Sequence, residues 1–221
     1  MGTKQGVKLP SQAIFGYHVY RVLGIQIAKL LYRTPITPNH VTTFSLLLSF
    51  FSAFLFLGGT HKYLIFGAIV FYFSKLLDYS DGQLARMRDI VSTFGHWYDG
   101  YTDIYKIFIQ FLAIGVGQYI LTDDFMFITL AFLSTILFLL FMITRLHQMV
   151  ILGKKLFVEW QITRKTHFGW TNPSSIIIVI FALFNQPYYM LLFFSTFGAL
   201  PLLIKIYMAY TSIKKNNQKL E

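Results

Sequence analysis

Four aspartates lie close together in a chain that otherwise has few acidic residues. The segment LLDYSDGQLARMRDIVSTFGHWYDGYTD, residues 76–103, holds Asp78, Asp81, Asp99 and Asp103, and with Asp89 it contains five of the nine acidic residues among 221. The first pair is three positions apart and the second pair four, and both spacings place side chains on one face of a helix. Each pair is therefore expected to present its carboxylates together.

The link between the two pairs is short, which predicts an antiparallel hairpin of two helices on which the four carboxylates converge. Residues 87–92 form this link. Carboxylates that face one another repel strongly, and they stay ionised only with cations between them. Oxygen ligands of this number select Mg²⁺, Mn²⁺ or Ca²⁺ rather than zinc. Four shared carboxylates suit two metals about 4 Å apart, an arrangement that serves phosphoryl chemistry.

The residues between the aspartates are small or basic. Gly82 and Ala85 share a helical face with the first pair, and Gly95 lies one turn before Asp99, so a ligand could approach the backbone closely. Arg86 adds a fixed cation that suits a phosphate group. Together these residues predict a pocket for a metal-bound pyrophosphate.

The rest of the chain has the composition of a membrane protein. It is 55% hydrophobic and 13% charged, whereas soluble domains are about a quarter charged. The absence of cysteine excludes disulfides and thiolate metal ligands. The first ten residues are polar and basic without an apolar core or cleavage site, so we predict no removable signal peptide.

An all-α, polytopic fold with six transmembrane helices follows from the apolar stretches, each near the required length of about 20 residues. The predicted spans are approximately 39–58, 63–86, 93–120, 125–149, 170–185 and 188–210. Lysine and arginine concentrate before the first span, in alternate connections and after the last span, which predicts cytoplasmic termini and a cytoplasmic aspartate site. The net charge of +10 therefore requires no nucleic-acid partner, and the basic residues would favour anionic lipids.

The chain divides into three expected regions. Residues 1–36 form a cytoplasmic segment, 37–213 a six-helix catalytic domain, and 214–221 a basic tail. Residues 11–33 predict an amphipathic helix on the membrane surface, since its polar stripe is continuous; the alternative is a seventh buried helix. Thr37 and Pro38 suit the cap and first position of the first span.

Eight residues in the aspartate segment match a family signature over 26 positions: Asp78, Asp81, Gly82, Ala85, Arg86, Gly95, Asp99 and Asp103. In this the chain resembles the CDP-alcohol phosphotransferase (phosphatidyltransferase) family, integral membrane enzymes that make phospholipids from cytidine-activated precursors. The six spans, the amphipathic helix and the string Thr37-Pro38-Asn39 are similar too. Ile104 stands where many relatives have arginine, which weakens assignment to a subfamily.

The resemblance implies two divalent metals, Mg²⁺ or Mn²⁺, beneath the nucleotide pyrophosphate. Asp78, Asp81 and Asp99 would bind one metal, and Asp78, Asp99 and Asp103 would contact the second. Asp103 would also be the general base that takes the proton of the acceptor hydroxyl as CMP leaves. Family members are commonly homodimers, so a homodimer is expected.

The resemblance also assigns the nucleotide contacts. The CDP-binding residues would be Asp81, Gly82, Ala85, Arg86, Gly95 and, more weakly, Asn39. One branch of the family transfers a phosphatidyl group from CDP-diacylglycerol, or an archaeal ether equivalent, to a small polar alcohol. The other transfers a headgroup from CDP-choline or CDP-ethanolamine to diacylglycerol. The compactness of the chain favours the first branch.

The acceptor alcohol stays open between serine, glycerol phosphate and inositol phosphate. Arg145 and His147, near the end of the fourth span, and Lys75, one turn before Asp78, could bind an acceptor phosphate. Lys106, three residues after Asp103, could do the same. The alternative for Arg145, Lys75 and Lys106 is to pair with an aspartate or to extend to the membrane surface.

Other classes of protein place acids in membranes. Intramembrane prenyltransferases use aspartate motifs that lie far apart in sequence, whereas here both lie in one segment. A divalent-cation carrier would give Gly82, Ala85 and Arg86 no role. An ion or proton pathway needs acids across the bilayer, whereas these cluster at one end. An inactive relative that only binds CDP-lipid would not need Asp103.

Overall fold

The computed structural model describes residues 15–152, 160–163, 166–168, 171–200, 202–204, 206–207 and 210–211. These residues form seven helices and one short strand pair: α1 (Phe15–Tyr32), α2 (Pro38–Phe56), α3 (His61–Met87), α4 (Thr93–Thr122), α5 (Met126–Leu152), β1 (Trp160–Thr163), β2 (Thr166–Phe168), α6 (Thr171–Leu183) and α7 (Pro187–Phe197). The predicted helical fold class is confirmed.

Helices α2 to α6 overlap the first five predicted spans, and α7 ends at Phe197, well before the predicted end of the sixth span near residue 210. Only some of the helices have the length and apolarity to cross a membrane. Within the described residues, four segments do so: Pro38–Phe56, Thr93–Thr122, Met126–Thr144 and Pro187–Ile204. Helix α3 is long enough but carries the charged residues of the site, and α6 has 13 residues. At 1.5 Å per residue such a helix covers about 20 Å, less than the roughly 30 Å of the hydrocarbon layer.

The beginning of α2 confirms the predicted cap. The side chain of Thr37 accepts a hydrogen bond from the backbone N–H of His40 at 3.3 Å, and His40 Nδ1 accepts one from the backbone N–H of Thr37 at 3.5 Å. Pro38 occupies the first turn, where its missing N–H has no intrahelical partner to lose. This arrangement fixes where α2 begins and hence which of its residues point toward the site.

Helix α2 is the element against which both α3 and α4 pack. A β-carbon at Gly117 of α4 would lie 2.2 Å from the backbone oxygen of Phe56, and one at Gly67 of α3 would lie 2.7 Å from the Phe56 ring. Small residues of this kind allow the backbones of membrane helices to approach closely. The three helices therefore share a tight contact at the end opposite the aspartates.

Buried polar side chains fix how α2, α3 and α4 are rotated relative to one another. The Gln110 side chain of α4 donates to Ser49 Oγ at 2.8 Å, and its carbonyl oxygen accepts from Ser52 Oγ at 3.1 Å. Ser52 Oγ also contacts the Gly67 carbonyl at 2.7 Å, and Ser74 Oγ donates to the Ser45 carbonyl at 2.7 Å. Such bonds between membrane helices each contribute about 0.6 to 2 kcal/mol.

Helix α1 lies against α3 and α6. A β-carbon at Gly24 would meet the Tyr79 ring at 2.6 Å, so the two helices are in close contact there. Tyr20 Oη lies 3.2 Å from Ser175 Oγ on α6. Leu30 and Val22 are 76% and 52% exposed, so α1 also has an apolar face directed away from the bundle.

Arg88 holds the connection between α1 and α2 in place. Its guanidinium donates to four backbone carbonyls, those of Leu31, Tyr32, Thr34 and Ile36, at 2.5 to 3.0 Å. Arginine suits this role because its rigid fork presents five donors. Arg88 directly follows α3, so the same contact ties the start of α2 to the helix that carries Asp78 and Asp81.

The short strand pair between α5 and α6 was not predicted. Strands β1 and β2 run antiparallel, with Trp160 opposite Phe168 and Thr163 opposite Thr166. Both strands contain β-branched or aromatic residues, which favour extended structure. By sequence alone, Arg164, Lys165 and His167 indicate a solvated, membrane-facing loop. His167 instead lies in β2 opposite Gln161, and Arg164 and Lys165 are outside the described residues.

Candidate active site

The link between α3 and α4 has well-formed ends. Asp89 adopts a left-handed conformation with φ 57°, which aspartate tolerates better than most residues. Ser92 caps α4 by accepting a hydrogen bond from the Gly95 N–H at 3.0 Å. This cap begins α4 one and a half turns before Asp99 and so directs the second pair of aspartates toward the first.

Helices α3 and α4 are joined by the short link that the sequence predicted, between Met87 and Thr93. Over their described lengths, however, α3 packs mainly on α2, and α4 packs on α5 and α2 rather than on α3. The two helices carry the charged side chains of the site: Lys75, Asp78 and Asp81 lie on α3, and Asp99, Asp103 and Lys106 lie on α4.

Three of the four aspartates are brought together. Carboxylate oxygens of Asp78, Asp99 and Asp103 all lie within 4.8 Å of one another. Three negatively charged oxygens at this separation fit a hard divalent cation, which takes oxygen ligands at about 2.0 to 2.6 Å. The donor set therefore fits the Mg²⁺ or Mn²⁺ that the family resemblance implies.

Asp81 lies beside this group and has a partner of its own. Its Oδ2 accepts a hydrogen bond from Thr42 Oγ1 of α2 at 2.6 Å, and both residues are buried. It shares the wall of one cavity with Asp78 and Asp99. The fourth carboxylate is thus within the site but is oriented by α2.

Two lysines neutralise part of the aspartate charge. Lys75 Nζ donates to Asp78 Oδ2 at 2.7 Å and to Asp103 Oδ1 at 2.5 Å. Lys106 Nζ donates to the other oxygen of Asp78 and is fully buried. The predicted alternative for both lysines, pairing with an aspartate, is therefore what the structure contains.

A cavity of about 180 Å³ opens beside the aspartates. It is lined by Tyr20, Lys75, Asp78, Tyr79, Asp81, Gly82, Arg86 and Asp99. A β-carbon at Gly82 would lie 3.4 Å from Arg86 Nη2, so the glycine leaves room for the guanidinium to fold over the helix. Of the residues predicted to contact CDP, Asp81, Gly82 and Arg86 line this cavity.

Three further predicted nucleotide contacts lie outside the cavity wall: Ala85, Gly95 and Asn39. A β-carbon at Gly95 would be 3.4 Å from Asn39 Oδ1, so α2 and the first turn of α4 bring these two residues together. Arg145 and His147 lie in the last turns of α5, and their side chains are outside the described part of the chain. Lys75 lines the cavity but points to Asp78 and Asp103.

Three residues of the site were missed by the sequence reasoning: Thr42, Tyr20 and Tyr79. Thr42 belongs to a buried polar stripe on α2 with Ser45, Ser49 and Ser52, and its three- to four-residue spacing was a detectable signal. Tyr20 extends from α1 to the cavity, which no local pattern indicates. Burial raises the pKa of Tyr20 to about 12, against the smaller opposing effect of its bond to Ser175, so its phenol stays protonated near neutral pH.

Solved structures with the same fold include two of Mycobacterium tuberculosis phosphatidylinositol phosphate synthase (PgsA1). The structure with CDP-DAG bound aligns with a TM-score of 0.69 and 19% identity, over 85% of this chain and 94% of that chain. The structure in complex with manganese and citrate aligns with a TM-score of 0.68 and 19% identity, over 85% and 89%. Identity at this level establishes a shared fold.

A comparison with curated protein sequences gives no match. The sequence model described as CDP-alcohol phosphatidyltransferase matches residues 35–210. This range is most of the chain, and it includes all eight residues of the aspartate signature together with Thr42 and both lysines. The chain therefore belongs to the CDP-alcohol phosphatidyltransferase family, membrane enzymes of phospholipid synthesis that use a divalent metal.

Proposed function

We propose that the protein transfers a phosphatidyl group from CDP-diacylglycerol, or an archaeal CDP-ether lipid, to the hydroxyl of a small polar alcohol and releases CMP. The observation that carries this proposal is the grouping of Asp78, Asp99 and Asp103 within 4.8 Å beside a cavity that also contains Asp81 and Arg86. Carboxylates for a metal and a guanidinium for phosphate are the groups that a diphosphate ester needs.

The charges of the site support two divalent metals. With all four aspartates ionised, Lys75 and Lys106 offset only half of the negative charge. Two divalent ions would make the net charge of the site positive. The negatively charged diphosphate of a CDP-lipid would then bring the net charge close to zero. We assign Asp78, Asp81 and Asp99 to one metal, and Asp78, Asp99 and Asp103 to the other. When bound, the metals would offset the charge that builds on the phosphate under attack.

Asp103 is the proposed general base. Only its Oδ1 accepts a hydrogen bond from the described residues, which leaves Oδ2 to take the proton of the acceptor hydroxyl. The carboxylate lies on α4, 20% exposed, so an alcohol in the neighbouring cavity can approach it. A carboxylate in this position accelerates attack by about 10² to 10⁴-fold.

The nucleotide would be bound by residues of α3 with help from α2 and α4. Arg86 would pair with a phosphate oxygen. Because Gly82 has no side chain, the diphosphate could approach the backbone of α3 there. Ala85 is assigned to the CDP moiety by its place in the signature. Asn39 and Gly95 lie close together at the first turn of α4. They are the candidates for contacting the part of the nucleotide farther from the diphosphate.

The acceptor would enter from the side of Lys75, with Arg145 and His147 as further candidates for binding an acceptor phosphate. The alternative function is transfer of a headgroup from CDP-choline or CDP-ethanolamine to diacylglycerol. The compactness of the chain, with six described helices after α1 in 221 residues, favours the branch with a small polar acceptor.

The membrane arrangement is proposed from the charge pattern and the fold. Both termini and the site would face the cytoplasm, with α2 to α7 in the bilayer and the two shorter or more polar helices, α3 and α6, completing six spans. The exposed apolar face of α1 would lie in the cytoplasmic leaflet. The protein is expected to form a homodimer.

The test is CMP release by purified protein in detergent with Mg²⁺ or Mn²⁺, CDP-diacylglycerol and each candidate acceptor in turn: serine, glycerol 3-phosphate, inositol 1-phosphate or inositol.

Asp103→Asn should reduce turnover by at least about 100-fold, since it removes the base, while CDP-diacylglycerol binding stays largely intact. Asp89→Asn is the matched control, because Asp89 is exposed on the link and asparagine tolerates its left-handed backbone. Normal turnover by Asp103→Asn would refute the base assignment, and CMP release only with CDP-choline or CDP-ethanolamine would favour the alternative function.

A further inference from the structure

The ammonium of Lys75 lies between two carboxylates that the proposed function assigns to a metal. Its Nζ is 2.7 Å from Asp78 Oδ2 and 2.5 Å from Asp103 Oδ1. The oxygens of these two residues and of Asp99 form the group that fits a shared divalent ion. The ammonium and a metal would therefore draw on the same carboxylates, and two cations that close together repel strongly.

The ammonium of Lys75 lies beside a cavity into which it can move, whereas the ammonium of Lys106 does not. Lys75 is 5% exposed and forms part of the cavity wall with Gly82 and Arg86. Among the described residues, the Lys106 ammonium forms an ion pair only with Asp78; Lys106 is fully buried and is not part of that wall. A lysine has a flexible four-carbon stem, so its ammonium can turn from the carboxylates into the cavity without a change in the helix.

We propose that Lys75 is an internal competitor for the divalent metal. Its ammonium holds Asp78 and Asp103 together until a metal takes their oxygens, and it then turns into the cavity, where it faces an anionic group of the substrate alongside Arg86. The inference rests on the proposed function, because it assumes that Asp78 and Asp103 bind a metal.

This arrangement couples the metal to the substrate. Metal binding displaces a positive charge toward the cavity, and an anionic diphosphate in the cavity stabilises that displaced charge. Each ligand therefore increases the affinity for the other, and the coupling is reciprocal. A lysine that only stabilised the fold would give no such dependence.

The test is a titration of the protein in detergent with Mn²⁺, in which the free ion is measured by its electron paramagnetic resonance signal, with and without CDP-diacylglycerol. In Lys75→Met the Kd for Mn²⁺ should fall by about tenfold or more, because the competing charge is gone. CDP-diacylglycerol should lower the Kd in the wild type by a larger factor than in the variant. Lys62→Met is the matched control, since Lys62 is exposed in the first turn of the same helix, away from the site.

A second measurement covers the effect of the substitution on folding. Without the ammonium, the carboxylates of Asp78 and Asp103 repel, so Lys75→Met should have a lower Tm than the wild type in EDTA and a larger rise on addition of Mn²⁺. If Lys75→Met could be purified only in the presence of Mn²⁺, this result would also support the predicted dependence of its stability on the metal. Lys75→Gln, which keeps a hydrogen-bond donor without the charge, should lie between the two proteins.

Two results would overturn the proposal: a Kd for Mn²⁺ in Lys75→Met equal to or higher than in the wild type, or failure of both Lys75 variants to fold even in Mn²⁺, because a metal should replace the ammonium. Failure of the proposed function looks different. In that case the wild type itself would not bind Mn²⁺, or Asp78→Asn would bind it as the wild type does.

Discussion

The hydrogen bond from Thr42 to Asp81 should carry a measurable part of the stability of the protein. Thr42→Val removes the hydroxyl and keeps the shape of the side chain. The two residues are 3% and 4% exposed, and the bond is 2.6 Å long, so the variant leaves a buried carboxylate without this donor. A hydrogen bond to a charged group contributes about 1.5 to 3 kcal/mol. In a chain of this size 1 kcal/mol shifts the Tm by roughly 2 to 4 °C, which predicts a fall of about 4 to 8 °C for a loss of about 2 kcal/mol.

Thermal unfolding in detergent, followed by tryptophan fluorescence, measures this fall. Thr43→Val is the matched control, because Thr43 is the exposed neighbour and its hydroxyl lies 3.0 Å from the uncharged Tyr98 Oη. A neutral exposed bond contributes about 1 kcal/mol or less, so the control should lose roughly half as much or less. The Kd for CDP-diacylglycerol should also rise in Thr42→Val, since Asp81 loses the group that orients it. Equal Tm values for Thr42→Val and Thr43→Val would refute the reasoning.

Two other substitutions test the packing that positions the site. Gly117→Ala should lower the Tm, because the added carbon would lie 2.2 Å from a backbone oxygen of α2, and overpacking costs about 1 to 3 kcal/mol. Gly100→Ala is its control on the same helix, with nothing within 4 Å of the added carbon; a similar loss in both would contradict the close contact. Arg88→Lys should speed tryptic cleavage after Arg33, because one ammonium cannot satisfy four carbonyls and the connection between α1 and α2 loosens. Unchanged cleavage would mean that Arg88 does not hold that connection.

Much of the site was predictable because the residues that define it lie close together in the sequence. The three- and four-residue spacings within the two aspartate pairs place each pair on one helical face, and Thr37 and Pro38 mark the start of α2 by short-range hydrogen bonding and a fixed φ. Helix positions followed from long apolar runs. The strand pair β1–β2 was missed because it is short and lies between basic residues in a stretch with no periodic pattern.

The partners of the aspartates were not predictable in the same way. Lys75 and Asp103 are 28 positions apart, and Thr42 and Asp81 are 39 apart. Whether such residues meet depends on how α2, α3 and α4 are rotated and how closely they approach, which is decided by Gly67, Gly117 and the serine and glutamine bonds of the interior. A lysine near an aspartate in sequence left two interpretations open, and only the packing of three helices distinguished between them.

The sequence by itself therefore determined the helical class, the residues of the signature and the kind of metal they suit, because these depend on residue type and on spacing along one helix. Only the tertiary structure decided that α3 and α4 both pack on α2, that Asp81 is oriented by Thr42, and that Lys75 occupies the space between Asp78 and Asp103. The physical reason is that long-range contacts arise from the fit of whole helix surfaces, to which every buried side chain contributes.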